Sequence, residues 1–312
     1  MIVSWSLAEL PAMLAELELE RPLLVASERW TALDVPRVAQ WSEVPSDSIE
    51  VPVDADSVLA VGGGSAIDTA KLASSTTGLP VVSVPTTYSG AEWTSSFGVR
   101  SADRRMVGGG SGAHLAGIVY EVGLTLGLPR SETVGTAMNA LAHCAEALYV
   151  RGRNAAGDAV ALAGARLIAS SLPAVVAAPG DVAARRALLR GAAYGGEALA
   201  LAGLGVAHAI AQTLGGRYGL PHGAMNALVL PLGLRLAGEQ EAEAVARLED
   251  ALSGTTVQQL ARLADFGRLR DYGLPEQDLP EVASAAAARP GNLNMPRPAS
   301  AQEIESLLRS VY

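Results

Sequence analysis

The feature that most restricts the fold of this chain is an alternation of short apolar runs with turns and helical patterns over about the first 125 residues. Four such runs are PLLVAS at 22–27, SVLAVGGGS at 57–65, PVVSVPTT at 80–87 and GIVYE at 117–121. Their length and their β-branched residues are typical of buried strands. Strands that alternate with helices form a parallel sheet covered by helices on its faces. We therefore expect an α/β N-terminal domain, which begins with a short strand followed by a helix.

The composition and periodicity of the sequence change near residues 125–130. From LTLGLPRSETVGTAMNALAHCAEALY onward, Ala, Leu and Glu recur at helical spacing, with Gly and Pro near 203–205, 219–221 and 290–298. Segment 43–56 is polar and contains Pro, so it is predicted to be a connection. The predicted domains are 1–128, an α/β dinucleotide-binding domain, and 129–312, an all-helical catalytic domain.

Composition excludes several classes of protein. Apolar residues make up 49% of the chain, enough for a sizeable core, and a net charge of -9 argues against a nucleic-acid partner. Cys144 is the single cysteine, which excludes an internal disulfide and fits a cytoplasmic protein. The N-terminus does not resemble a secretory signal. The apolar segments 158–180 and 193–214 are interrupted by polar residues, Pro or Gly, so we expect buried helices and no membrane association.

Two loops that follow predicted strands carry candidate cofactor residues. Gly62, Gly63, Gly64 and Ser65 precede an amphipathic helix, whose N-terminal amides and dipole favour a pyrophosphate. The alternative is a tight strand-to-helix turn without a ligand, and the usual GxGxxG pattern is absent. The next loop supplies hydroxyl groups at the carboxyl edge of the sheet, where ligands of open α/β sheets bind: Thr86, Thr87, Tyr88 and Ser89.

Three of the four histidines in the chain are candidates for one catalytic pocket. Asn139 and His143 lie four residues apart on a predicted helix, as do His208 and Gln212, and His222 follows a Gly-Leu-Pro turn. Imidazoles serve as proton carriers or as metal ligands. Three histidines with a neutral Asn make a weaker metal site than three histidines with a carboxylate, although zinc on three histidines is chemically allowed.

The motifs together resemble the iron-containing alcohol dehydrogenase superfamily, and specifically its maleylacetate reductase-like branch. The resemblance is carried by GGGSAIDTAK at 62–71, PTTYSGAEWT at 85–94, LTLGLP with MNALAHCAEALY at 124–149, and GGRYGLPHG. It extends to NMPRPASAQEIESLL near the C-terminus and so covers most of the chain. It implies the dehydroquinate synthase-like fold, an α/β nucleotide-binding domain with a parallel sheet followed by an all-α domain.

The resemblance also implies roles for individual residues. The 62–65 loop would hold the pyrophosphate of NADH or NADPH, and Thr86, Thr87 and Ser89 would lie along the ribose and nicotinamide. His143, His208 and His222 fall on metal-ligand positions of the metal-dependent members, and Asn139 falls where those members have Asp. Because the maleylacetate reductase branch resembles this chain in having Asn there and is usually regarded as metal-independent, we expect no bound metal.

The leading hypothesis is an NAD(P)H-dependent, metal-independent reductase of a small oxo-acid or related carbonyl compound. Any of the three histidines could give the proton that balances the hydride. Arg217 and Arg105 are the candidates for binding a substrate carboxylate, and Tyr88 either contacts substrate or packs in the core. The resemblance further implies a homodimer.

Two departures from the family pattern support a different hypothesis. Gln212 stands where the family commonly has another His, and an amide cannot carry a proton between groups. The segment between PLLVAS and SVLAVGGG is about 30 residues, short enough that a helix of the nucleotide domain is expected to be missing. The fold could thus serve a non-redox lyase, hydrolase or cyclase reaction. A metal-dependent alcohol dehydrogenase with Asn139 as an oxygen ligand is a third hypothesis, and a catalytically inactive binding protein is a fourth.

Overall fold

The computed structural model describes all residues from 1 to 312. The chain divides into two compact units, residues 1–127 and residues 128–312. The first contains every strand and two α-helices, and the second is helical throughout.

A six-stranded parallel sheet forms the centre of the first unit. Its strands, in the spatial order β1-β8-β5-β4-β2-β3, pair only in parallel. Residues Ser57–Gly62 of β4 are all buried, as expected of a central strand covered on both faces. The strands of this sheet are β1 (Ile2–Ser4), β2 (Pro22–Val25), β3 (Ala39–Trp41), β4 (Ser57–Gly62), β5 (Pro80–Pro85) and β8 (His114–Val119).

Both faces of the sheet are packed. Helix α1 (Leu10–Glu16) contributes Leu10, Met13 and Leu14 to one core, and helix α2 (Gly64–Thr77) contributes Ile67, Ala70 and Ala73 to the other. A separate antiparallel ribbon is formed by β6 (Phe97–Arg100) and β7 (Met106–Gly110). The predicted fold class, a parallel-sheet domain followed by helices, is confirmed.

The structure adds elements that the sequence patterns did not indicate. Strand β3 is three residues long, and the β6–β7 ribbon contains MVGGG, whose glycines hide its strand character. No α-helix lies between β2 and β4, where the chain forms a 3₁₀ turn at Glu28–Trp30, the edge strand β3 and the loop that includes 43–56.

Ten α-helices form the second unit. Helices α3, α4 and α5 pack on one another, and α3 also packs on α6 and α7. Their bounds are α3 (Arg130–Ala147), α4 (Ala155–Ala177), α5 (Val182–Ala202), α6 (Val206–Tyr218), α7 (His222–Gly238), α8 (Ala242–Ala251), α9 (Val257–Ala261), α10 (Leu279–Ala287), α11 (Pro290–Leu293) and α12 (Ala301–Ser310).

Helix α4 is long and apolar enough to span a membrane by length and composition alone. Helices α5 and α6 pass the same criterion only as a pair, which is bent by 103° at their junction. Packing of α4 against α3, α5 and α8 accounts for its apolar side chains, because a helix surrounded by other helices buries much of its surface.

Candidate active site

The two candidate cofactor loops lie side by side in the first unit. Gly62 and Pro85 are register partners at the carboxyl ends of β4 and β5, and the amide of Thr86 donates to the carbonyl oxygen of Gly62 at 2.9 Å. A Cβ atom added at Gly63 would lie 2.9 Å from Cγ2 of Thr87, so only glycine permits this approach. The structure thus brings the 62–65 and 86–89 segments together.

Thr87 offers an unused polar atom at this edge. Its Oγ1 is buried and has no hydrogen-bond partner within the protein, beside the Gly63 N-cap of α2. Buried hydroxyls are ordinarily hydrogen-bonded, so the atom fits a ligand group next to a helix N-terminus. Ser65 and Ser89 are half-buried in the same loops, whereas Tyr88 is 1% exposed and its ring packs in the core.

Lys71 anchors the segment that follows these hydroxyls. Its ammonium group is fully buried and donates to the main-chain oxygens of Ala91 and Ser96. Glu92 in this segment is also buried and accepts a hydrogen bond from the Tyr120 hydroxyl at 2.8 Å. Burial lowers the pKa of Lys71 and raises the pKa of Glu92. The anchored segment holds the 86–89 hydroxyls at a fixed place.

In the second unit, a close contact between glycines brings α3 against α7. A Cβ atom added at Gly223 would lie 2.6 Å from the carbonyl carbon of Gly135. Because no side chain separates the two backbones, Asn139, one turn after Gly135, reaches the first turn of α7, which carries His222.

A chain of hydrogen-bonded side chains joins α3, α6 and α7. The Nδ1 atom of His208 lies 2.7 Å from Oε2 of Glu146, and its Nε2 atom lies 3.1 Å from Oδ1 of Asn139. Glu146 is fully buried and also accepts the main-chain N–H groups of Gly205 and His208 at 2.7 and 3.0 Å. These N–H groups belong to the N-terminus of α6, so one carboxylate caps this helix and holds its histidine.

Asn226 extends this chain to His222. Its Nδ2 atom lies 2.7 Å from Oδ1 of Asn139, 3.0 Å from Nε2 of His222 and 3.2 Å from the carbonyl oxygen of His222. Asn226 is fully buried, whereas His222 is half-buried. The three helices therefore share one polar cluster, which we call the histidine cluster: Asn139, His143, Glu146, His208, His222 and Asn226.

His143 stacks on His208 within the cluster. The ring centroids are 4.5 Å apart and the planes are inclined by 14°, while the His208 and His222 centroids are 6.0 Å apart. Burial, together with the charges of His208 and His222, holds the pKa of His143 well below its usual value of 6.5. His143 is therefore neutral near physiological pH. The three predicted histidines and Asn139 do converge.

The two predicted arginines each pair with a neighbouring carboxylate. Arg217 is paired with Glu281 at 2.7 Å and follows His208 by nine residues on α6, which places it on the opposite side of the helix. Arg105 lies in the β6–β7 turn beside Asp103 and is 63% exposed. Neither contact supports a carboxylate-binding role. Gln212 is half-buried and accepts a hydrogen bond from Arg289 at 3.4 Å.

The residues of the histidine cluster do not fit a bound metal ion. No group of three or more His, Cys, Asp or Glu side chains is arranged to hold one. The lone pairs of imidazole nitrogens lie in the ring plane, and the nearly parallel rings of His143 and His208 cannot both direct a lone pair at one ion. The fourth position is the neutral Asn139, whose Oδ1 atom already receives the Asn226 amide.

Lys71, Glu146 and Asn226 were missed in the sequence. Two signals were available: Glu146 follows His143 by three residues and Asn139 by seven, so it shares their helix face, and Asn226 follows His222 by four residues, as His143 follows Asn139. Lys71 lies inside a recognised motif, but nothing in its spacing indicates that it would be buried.

A parallel sheet with a glycine-rich strand-to-helix loop, followed by a helical unit with a histidine cluster, defines the class as a two-part α/β and α enzyme. Sequence profiles place it more narrowly. Residues 133–312 match the C-terminal region of the Fe-containing alcohol dehydrogenase family, and residues 35–106 match the iron-containing alcohol dehydrogenase profile.

Individual proteins give the same result. Maleylacetate reductase from Burkholderia cepacia is 33% identical over 83% of this chain and 74% of its own length. Maleylacetate reductase 1 from Cupriavidus pinatubonensis is 32% identical over 97% of this chain and 92% of its own. The crystal structure of maleylacetate reductase from a Rhizobium species superposes with a TM-score of 0.86 at 28% identity, covering 100% of this chain and 95% of that one. The chain belongs to the iron-containing alcohol dehydrogenase family and is an oxidoreductase.

Proposed function

We propose that this protein is an NAD(P)H-dependent, metal-independent reductase of a small oxo-acid or related carbonyl compound. The proposal rests on one observation above all: the glycine-rich loop at α2 and the hydroxyl loop after β5 lie together, with the Thr87 hydroxyl unpaired between them. Similarity to maleylacetate reductases supports the substrate class, because the name of those enzymes denotes reduction of maleylacetate, a small organic acid.

The coenzyme is proposed to bind at the first unit, where it would supply hydride. The N-terminus of α2 offers main-chain amides to the pyrophosphate, and Thr86, Thr87 and Ser89 offer hydroxyls to the remainder. Lys71 holds the segment that follows these hydroxyls through its contacts with the main-chain oxygens of Ala91 and Ser96.

Substrate is proposed to bind at the histidine cluster. A carbonyl oxygen gains a proton as the carbon beside it receives hydride, so a donor must face that oxygen. His143 and His208 are 4% and 1% exposed, while His222 is half-buried. We therefore assign the proton to His222, which would regain one from solvent because its ring is half-buried, and electrostatic support to the two buried rings.

The metal-independent part of the proposal is supported by the donor set. Metal-dependent members have Asp at the fourth ligand position, whereas Asn139 supplies a neutral oxygen that is already hydrogen-bonded. In place of a Lewis acid, a ring hydrogen of the half-buried His222 would stabilise the developing oxyanion.

A non-redox reaction on the same fold is the second candidate. Two observations favour it: no α-helix lies between β2 and β4, and Gln212, held by Arg289, is an amide that cannot carry a proton. It predicts a folded protein that binds neither reduced coenzyme.

Calorimetric titration of the purified, metal-analysed protein with NADH and NADPH tests the proposal. We expect submillimolar binding of at least one coenzyme to metal-free protein. Thr87→Val keeps the shape of the side chain, and we expect it to weaken binding about twofold to tenfold through one lost hydrogen bond. Thr76→Val, at an exposed position near the other end of α2, is the matched control. Absence of binding by the native protein would favour the non-redox candidate.

The proposed assembly is a homodimer, which the family resemblance implies. The mass of the native protein measured by light scattering tests it, and a monomer at assay concentration would remove it.

A further inference from the structure

The orientation of one buried amide fixes the direction of hydrogen bonds across the histidine cluster. A main-chain carbonyl can only accept, so the atom of Asn226 that lies 3.2 Å from the His222 carbonyl oxygen must be the NH₂ group. The same NH₂ group has two hydrogens, so it donates one to Oδ1 of Asn139 and shares the other between the carbonyl oxygen and Nε2 of His222. It follows that Nε2 of His222 carries no hydrogen, and that the ring hydrogen of His222 is on Nδ1.

The orientation of Asn226 also fixes the orientation of Asn139, and through it the hydrogen on Nε2 of His208. Because its Oδ1 atom accepts from Asn226, the atom that faces Nε2 of His208 at 3.1 Å is an acceptor, and a ring hydrogen on Nε2 satisfies it.

Glu146 acts on the other ring nitrogen of His208. Its carboxylate accepts two main-chain N–H groups besides the ring, and carboxylates with several N–H donors are held in the form that only accepts. Nδ1 of His208, 2.7 Å away, is therefore also a donor. Nothing else among the contacts of His208 would fix the hydrogen at Nδ1.

We propose that Glu146 and Asn226 are positioning residues for the reaction: Glu146 keeps a hydrogen on Nδ1 of His208, and Asn226 keeps Nε2 of His222 free of hydrogen. Neither residue touches substrate. They act through the rings by deciding which nitrogen each ring offers. The catalytic consequence rests on the proposed function, whereas the placement of the hydrogens does not.

A purely structural role for Glu146 makes a different prediction. Since the same carboxylate caps the N-terminus of α6, its loss would lower stability wherever the hydrogens of the histidine rings lie. Melting temperature alone therefore cannot decide the matter, and the test needs a measurement on the ring nitrogens.

Nitrogen-15 NMR of the histidine rings in the native protein provides that measurement. With four histidines in the chain, the signals can be assigned by substituting them one at a time. We expect a hydrogen on Nδ1 of His208 and none on Nε2 of His222. A His208 ring without hydrogen at Nδ1, or a His222 ring with hydrogen at Nε2, would overturn the proposal without any variant having to fold.

Glu146→Leu then tests the effect on the reaction. Leu offers no acceptor to Nδ1, so this nitrogen should lose its hydrogen, whereas a Gln oxygen could still accept from both Nδ1 and the Gly205 amide, as Oε2 does in the native protein. We expect kcat to fall about tenfold to a hundredfold, with KM changed much less. Asn226→Asp, which cannot donate, should place a hydrogen on Nε2 of His222 and lower kcat similarly.

Leu214→Ala is the matched control. This residue is fully buried in α6 and lies outside the histidine cluster, so the substitution leaves a cavity and lowers the melting temperature without changing a polar contact. Below its melting temperature it should keep near-native kcat. Unchanged ring signals in Glu146→Leu, or a kcat loss no larger than that of the control, would contradict the proposal. Failure to reduce any oxo-acid would refute only the proposed function, because the ring assignment is measured without substrate.

Discussion

Replacing Gly223 by Ala tests whether the glycine contact between α3 and α7 assembles the histidine cluster. The added Cβ atom would lie 2.6 Å from the carbonyl carbon of Gly135 and 2.8 Å from its oxygen, where ordinary contact begins at 3.4 Å. Both atoms belong to the backbone, so no side chain can rotate to relieve the clash. The helices would have to part by about 0.8 Å, the difference between 3.4 and 2.6 Å.

That displacement is large enough to break the polar chain. Applied along the contact between Asn226 and Asn139, it would lengthen their 2.7 Å hydrogen bond to about 3.5 Å, the limit for such a bond. We expect a stability loss of about 1–3 kcal/mol, a decrease of roughly 2–10 °C in melting temperature, and at least a tenfold loss of kcat.

Calorimetry and steady-state kinetics on purified Gly223→Ala measure these effects. Gly238→Ala is the matched control, since it ends the same helix and a Cβ atom there would meet nothing within 4 Å. It should be neutral or slightly stabilising, through the higher helix propensity of Ala. If both variants melted and reacted like the native protein, the idea that close packing of α3 on α7 assembles the site would be refuted.

Four further outcomes are expected. Asn139→Asp adds a negative charge at the fourth ligand position and should allow stoichiometric zinc or iron binding, which elemental analysis detects. Binding also requires the His143 and His208 rings to rotate out of their stack. No metal uptake would argue against the view that the neutral Asn139 is what keeps metal out. The pKa of His143 is lowered in the folded protein, so the unfolded chain binds more protons below pH 6.5. The melting temperature should therefore fall as the pH drops through and below this value, and it should fall less in His143→Gln. Arg217→Ala should leave the KM for oxo-acids within about twofold, since Glu281 already pairs with it; a tenfold rise would restore the predicted carboxylate contact. Thr87→Val should weaken coenzyme binding without lowering the melting temperature by more than about 3 °C.

The fold was predictable because its signals are local. The strand that ends at Gly62 contains an unbroken apolar run followed by glycines, and a buried parallel strand needs no more than that to be recognised. The β6–β7 ribbon was missed for the opposite reason: its Gly-rich strand has no apolar alternation, and the pairing that makes it a strand is antiparallel and local to the turn at 101–105.

The site was only partly predictable, because spacing along a helix gives the face of a residue but not its partner. Four-residue spacing placed Asn139 with His143, yet nothing local shows that Asn139 contacts Asn226, 87 residues away. Arg217 shows the same limit, since its proximity to His222 in sequence suggested a shared pocket, whereas a half-turn of helix directs it to Glu281. Partners across helices depend on close approaches such as that of Gly135 and Gly223, which single-sequence patterns do not contain.

Oxidation of reduced nicotinamide by chelator-treated, metal-analysed protein in the presence of small oxo-acids is the most direct test of the proposed function. We expect turnover with at least one oxo-acid, at a rate that added zinc or iron does not increase. Turnover that appears only after metal is restored, and is lost in His222→Ala together with the bound ion, would contradict it.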